Sequence, residues 1–128
     1  MSDDCPISGR RILVVEDEMI PAWVLEKILA QLGCKVIGPA ARVKEALAMI
    51  EAEVIDAVLL DVNLNGEKSY PVADALAARG VPFVFSTGYN KDSLPEGYRD
   101  FPVLQKPYEA TRLAAILAQL LTPKEPGL

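Results

Sequence analysis

From Arg11 to Leu121, short apolar runs take turns with longer stretches whose apolar residues recur at helical spacing. The short runs are too brief for helices and are bounded by Gly, Pro or charged residues, so they read as strands over 12–15, 35–38, 57–60, 83–86 and 103–105. Between the first two, the pattern predicts a helix over 20–32, with Val24, Leu25, Ile28, Leu29 and Leu32 at helical spacing, Pro21 in its first turn and Gly33 as its stop. A second helix is expected over 43–52, where Val43, Ala46, Leu47 and Ile50 share a side, and a third over 71–79, opening on Pro71 and closing before Gly80. The last spans 113–121, carries Leu113, Ile116, Leu117, Leu120 and Leu121 in one stripe and stops at Pro123. The stretch 90–101 contains Pro95, Gly97 and only scattered apolar residues, so any helix there is expected to be short, weakly held and the mobile part of the chain.

Strands that are apolar throughout, alternating with helices, are the mark of βαβ units around a parallel sheet covered on both faces. The expected class is therefore α/β: a flavodoxin-like, doubly wound, five-stranded parallel sheet in the order 2-1-3-4-5, with a short or weak fourth helix. The chain has 128 residues, 51% of them hydrophobic, which is enough for one core and no second domain. The expected body is 10–122, with tails at 1–9 and 123–128 that lack a periodic pattern.

A net charge of −5 and the absence of a Lys/Arg cluster argue against a surface that neutralises nucleic-acid phosphates or anionic lipid. Cys5 and Cys34 lie far apart in unlike contexts and read as free thiols of a reducing compartment. The acidic start Met1-Ser2-Asp3-Asp4 is unlike a secretory signal, and no apolar run is long enough to span a bilayer, so a soluble cytoplasmic protein is expected.

In such a sheet, ligands bind beyond the carboxyl ends of the strands. The first strand ends in Glu16-Asp17-Glu18, the third in Asp61, the fourth in Thr87 and the fifth in Lys106-Pro107, all at one edge. With the first and third strands adjacent, Glu16, Asp17 and Asp61 form a carboxylate cluster that repels itself without a cation. Mg²⁺ suits an all-oxygen site, and the absence of His weakens a zinc reading. A carboxylate is also a nucleophile toward phosphorus once cations offset its charge; Mg²⁺ and the Lys106 ammonium meet that need, the Thr87 hydroxyl can donate to a phosphoryl oxygen, and Gly88 leaves room for a donor. Taken singly, each residue is ordinary: an acid at a helix start, an Asp in a turn, a capping Thr, a surface Lys. Their coincidence at one edge is what points to chemistry.

The runs Ile12-Leu13-Val14-Val15-Glu16-Asp17-Glu18 and Val58-Leu59-Leu60-Asp61-Val62-Asn63-Leu64-Asn65-Gly66, the pair Thr87-Gly88 and the pair Lys106-Pro107 together resemble the receiver domain of two-component response regulators, over residues 10–122. The resemblance implies that Asp61 is the phosphoacceptor, that Glu16 and Asp17 serve the metal, and that the backbone carbonyl of Asn63 completes the protein ligands. It further implies that Thr87 and Lys106 sense the phosphoryl group and that the Lys106–Pro107 bond is cis. Phe85-Ser86-Thr87-Gly88-Tyr89 is similar to the signature of the FAT GUY receivers. That implies a histidine kinase of the HWE or a related type as partner, or a histidine phosphotransfer protein, and a role in stress or phosphorelay signalling.

One departure is informative: many receivers carry a Tyr or Phe where this chain has Val103, three residues before the lysine. The expectation is that movement of Thr87 instead reorders the segment 89–98. Output is expected in trans, through contact with a downstream protein target, with no enzymatic turnover beyond self-phosphorylation and autodephosphorylation.

Three rivals make distinct demands. A phosphatase of the haloacid-dehalogenase type places its aspartyl nucleophile after the first strand with a second Asp two residues on, whereas Asp61 follows the third strand and Asn63 stands two places later. A flavin carrier needs a phosphate loop rich in Ser, Thr and Gly after the first strand, where Glu16-Asp17-Glu18 repels phosphate. A phosphorylation-silent adaptor of the same fold differs only in its chemistry.

Overall fold

The computed structural model describes residues 7–88, 94–106 and 109–121. Its strands are β1 (Arg11–Val15), β2 (Lys35–Ala40), β3 (Ala57–Asp61), β4 (Asn63–Leu64), β5 (Glu67–Lys68), β6 (Phe83–Thr87) and β7 (Val103–Gln105). Its α-helices are α1 (Met19–Gln31), α2 (Val43–Ala52), α3 (Tyr70–Arg79) and α4 (Ala110–Leu121). Five strands form one parallel sheet in the order β2-β1-β3-β6-β7, the expected 2-1-3-4-5 winding, and β4 and β5 make a separate antiparallel pair.

Alternation along each strand divides the core in two. Ile12, Val14, Leu59 and Val84 face Leu25 and Leu29 of α1 and Leu113 and Leu117 of α4. Leu13, Val15, Leu60 and Phe85 face Val43, Ala46 and Ile50 of α2 and Val72 and Leu76 of α3. Every residue of β3 and β6 is buried, because both faces of these central strands are covered. That demand is what makes their sequences apolar up to the polar residues at their carboxyl ends, Asp61 in β3 and Ser86 and Thr87 in β6.

Several segments depart from the expected boundaries, the last helix among them, which starts at Ala110 rather than at 113. The strand expected over 35–38 continues to Ala40, past the cis Gly38–Pro39 bond, through an irregularity in the register between Leu13 and Val15. Gly38 has φ +91°, and a Cβ there would lie 2.9 Å from the Val14 carbonyl oxygen, so only glycine permits the strands to close at this point. The tail expected over 1–9 is packed at its inner end: Ile7 is 1% exposed and joins the α1/α4 core beside Cys34, while the Gly9 N–H donates to the Gly33 carbonyl at 2.8 Å. An apolar side chain at the edge of an apolar face gains more by covering it than by staying in water. Cys34 is buried, and its thiol donates to the Ile7 carbonyl at 3.4 Å; Cys5 lies outside the described residues. Between β6 and β7, where a short or weak helix is expected, the described residues hold one 3₁₀ turn, Glu96–Tyr98.

The β4–β5 hairpin has no counterpart among the expected elements. Asn65 (φ 55°) and Gly66 (φ +91°) both occupy the left-handed region, which is the two-residue turn that suits the twist of a tight hairpin. The hairpin pairs Asn63 with Lys68 and Leu64 with Glu67, and its base is closed by the Ser69 N–H donating to the Val62 carbonyl at 3.0 Å.

Candidate functional site

The carboxyl ends of β1, β3, β6 and β7 meet at one edge of the sheet, and backbone bonds fix each of them. The Glu16 N–H donates to the Ala40 carbonyl (2.9 Å), the Val62 N–H to the Ser86 carbonyl (3.1 Å) and the Lys106 N–H to the Thr87 carbonyl (2.8 Å). The extension of β2 through Gly38 is thus what anchors Glu16.

Glu16 is 2% exposed, Asp61 5% and Thr87 6%; Asp17 is half-buried. One carboxylate oxygen from each of Glu16, Asp17 and Asp61 lies within 4.8 Å of the other two. Lys106 Nζ lies 3.0 Å from Asp61 Oδ2 and 3.1 Å from Glu16 Oε1. Asp61 Oδ1 accepts the Asn63 N–H at 3.3 Å, and Glu16 Oε2 accepts the Glu18 N–H at 3.2 Å. Burial pushes the Glu16 carboxyl up to about 7, helped by a side-chain hydrogen bond and like charge from Asp61; Lys106 and the Glu18 N–H pull the other way but do not prevail. Three carboxylates against one ammonium leave an excess of negative charge, and a hard divalent cation is the group that such an oxygen-only set accommodates.

Asp17 and Asp61 of the cluster line an open cleft of about 750 Å³, together with Asn63, Thr87, Gly88 and Lys106. A Cβ at Gly88 would meet nothing within 4 Å, so the space beside it belongs to the cleft. All six residues singled out in the sequence, Glu16, Asp17, Asp61, Asn63, Thr87 and Lys106, are therefore gathered at one place. The Lys106–Pro107 bond, Tyr89 and Tyr108 lie outside the described residues.

Two residues of the lining escape the sequence pattern: Lys68, at the end of the hairpin, and Tyr70, which opens α3. The Asn65-Gly66 dipeptide is the available signal, since it marks a tight hairpin and so turns the next residues back toward the site. The Tyr70 ring stacks on Tyr98 with centroids 4.6 Å apart, and Phe85 meets both rings edge-on. The Tyr98 hydroxyl donates to Asp74 Oδ1 of α3 at 2.9 Å. Val103 pairs with Phe85 in the sheet and packs against this same core. The aromatic contacts of the edge are thus made by Tyr98 and Phe101, from the segment before β7.

A family model described as "Response regulator receiver domain" matches residues 12–118. The solution structure of SdrG from Sphingomonas melonis Fr1 is 50% identical, with a TM-score of 0.80 over 89% of this chain and 98% of that one. SdrG has also been solved in a BeF3-activated conformation, to which this chain is 49% identical with a TM-score of 0.78. The phyllosphere-induced regulator PhyR of Methylorubrum extorquens is 33% identical over 115 residues, 86% of this chain and 43% of PhyR. The receiver domain of sensor histidine kinase PA1611 from Pseudomonas aeruginosa PAO1, solved with a magnesium ion coordinated in its active site cleft, is 27% identical, with a TM-score of 0.73 over 89% of this chain and 98% of that one. The chain spans about half the length of the curated relatives it matches. Among the described residues no helix is long and apolar enough to cross a membrane.

Proposed function

The chain belongs to the response regulator receiver family, and from that premise we propose that it works as a phosphorylated switch in two-component or phosphorelay signalling, with Asp61 as the acceptor. The observation that carries this reading is the position of the Asp61 carboxylate, 3.0 Å from the Lys106 ammonium and within 4.8 Å of ligand oxygens of Glu16 and Asp17. The donor is a phosphohistidine on a histidine kinase, of the HWE or a related type, or on a histidine phosphotransfer protein. Output passes in trans to a downstream protein target.

Glu16, Asp17, Asp61 and the backbone carbonyl of Asn63 are the groups to hold Mg²⁺. When bound, the ion supplies charge neutralisation that lets an anionic donor approach an anionic nucleophile. The chain's own residues do the rest. An Asp61 carboxylate oxygen forms a bond to phosphorus as the phosphorus–nitrogen bond of the donor breaks, and the departing imidazole keeps the electron pair. Lys106 leaves its carboxylate partners and follows the negative charge to a phosphoryl oxygen. The Thr87 hydroxyl donates to another, and the inward movement of Thr87 draws on the adjoining segment. Tyr98, in the described part of that segment, is tied to α3 by its stack on Tyr70 and its bond to Asp74, which are weak enough to be rearranged.

The test is incubation with Mg²⁺ and a small phosphodonor, followed by intact-mass measurement. One added phosphoryl group on the wild type and none on Asp61→Asn is the expected result; an unmodified wild type leaves the phosphorylation-silent adaptor in its place. Mg²⁺ should also raise the melting temperature of the wild type, because the folded state alone gathers the ligands, and Asp17→Asn should lose that rise.

A further inference from the structure

The cleft contains a second cation that the chemistry at Asp61 and Lys106 does not use. In the β4–β5 hairpin, residues directly opposite each other share a face, so Leu64 and Glu67 lie on one side and Asn63 and Lys68 on the other. The first side is anchored to the body: Leu64 is 1% exposed, and Glu67 Oε1 accepts the Val43 N–H at the start of α2 at 3.1 Å. The second side therefore faces the cleft, where Lys68 shares the lining with Asp61, Asn63, Thr87 and Lys106. The turn at Asn65-Gly66 and the closure at Ser69 leave the hairpin little freedom to swing away.

The two cations of that lining differ in what they are free to do. Lys106 is 22% exposed in its side chain and sits between Glu16 and Asp61. Lys68 is exposed at the rim, and no carboxylate among the described residues pairs with it. Its flexible stem carries a positive charge over the path by which a dianionic phosphoryl group must approach three carboxylates.

We propose that Lys68 binds the phosphoryl oxygens of the incoming donor, so that it attracts and orients the donor above Asp61. The proposal rests on Asp61 being the acceptor. With acetyl phosphate as donor, an Asp61 oxygen forms the new phosphorus–oxygen bond while the bond to acetate breaks, and acetate leaves with the electron pair. Lys68 transfers no proton; it lowers the repulsion on approach.

The experiment follows the mass of the full chain over time with acetyl phosphate and Mg²⁺, for wild type, Lys68→Gln and Lys68→Arg. At low ionic strength Lys68→Gln should be slower by about fivefold, the size of one lost charge contact near the surface. The deficit should shrink at about 1 M salt, where screening leaves little of it, and Lys68→Arg should recover most of the rate. Mg²⁺ affinity of Lys68→Gln should be unchanged or tighter, since a positive charge near the ion has been removed. An equal rate at low salt overturns the proposal and leaves the Asp61 reading intact. So does a deficit that ignores salt, that arginine does not repair, or that comes with a lower melting temperature and weaker Mg²⁺ binding. A wild type that takes up no phosphoryl group overturns both.

Discussion

The Lys106 ammonium stands 3.0 Å from Asp61 Oδ2, although the two residues are 45 positions apart in the chain. They end strands β7 and β3, which do not touch but flank β6, and a long side chain bridges the gap at the sheet edge. The same ammonium lies 3.1 Å from Glu16. One cation thus lies against two carboxyl groups that also share a hydrogen bond.

Lys106→Met should therefore destabilise the metal-free protein. Because the lysine is 22% exposed, the loss should be below that of a fully buried pair, about 1–3 kcal/mol at pH 8. Mg²⁺ should recover part of it by replacing the lost charge. Urea unfolding with EDTA and with Mg²⁺ checks both statements, and equal stability of the two proteins in EDTA would contradict them.

The raised Glu16 carboxyl sets a pH dependence. Its folded value, about 7, lies above the ordinary 4.5, so the folded state binds its proton more tightly than the unfolded chain. Stability from this group is full below pH 4.5, falls as pH rises through about 7 and is flat beyond. A tenfold difference in proton affinity corresponds to about 1.4 kcal/mol, so the fall is on the order of a few kcal/mol at most. In EDTA, the difference in unfolding free energy between wild type and Glu16→Gln should change across that window in this direction. A difference that does not vary with pH would refute the assignment.

Tyr98→Phe removes the hydroxyl that donates to Asp74 and keeps the ring that stacks on Tyr70. The bond is exposed to solvent, so global stability should drop by no more than about 1 kcal/mol. Amide hydrogen exchange over 94–101 should nevertheless quicken, because that bond ties the 3₁₀ turn at Glu96–Tyr98 to α3. In the wild type, a phosphoryl mimic such as BeF₃⁻ should change exchange over the same residues. Unchanged exchange would detach this segment from the switch.

The order of residues alone dictates the sheet and brings Glu16, Asp17, Asp61, Thr87 and Lys106 to one edge of it. Strands buried on both faces must be apolar throughout, so β1, β3 and β6 show as unbroken runs, and the polar residues ending them must collect at one edge. It does not dictate where β2 ends, because Gly38-Pro39 reads as a stop, and only the approach of the Val14 carbonyl turns it into a bulge that carries the strand to Ala40 and holds Glu16. Nor does it place Ile7 in the core, and of the β4–β5 hairpin that turns Lys68 to the cleft it marks only the Asn65-Gly66 turn, since strands of two residues have no periodic pattern. Which carboxyl is pushed up, which cation is shared and which tyrosine meets which are settled by burial and by distances between residues far apart in the chain. Those quantities exist only once the chain is packed.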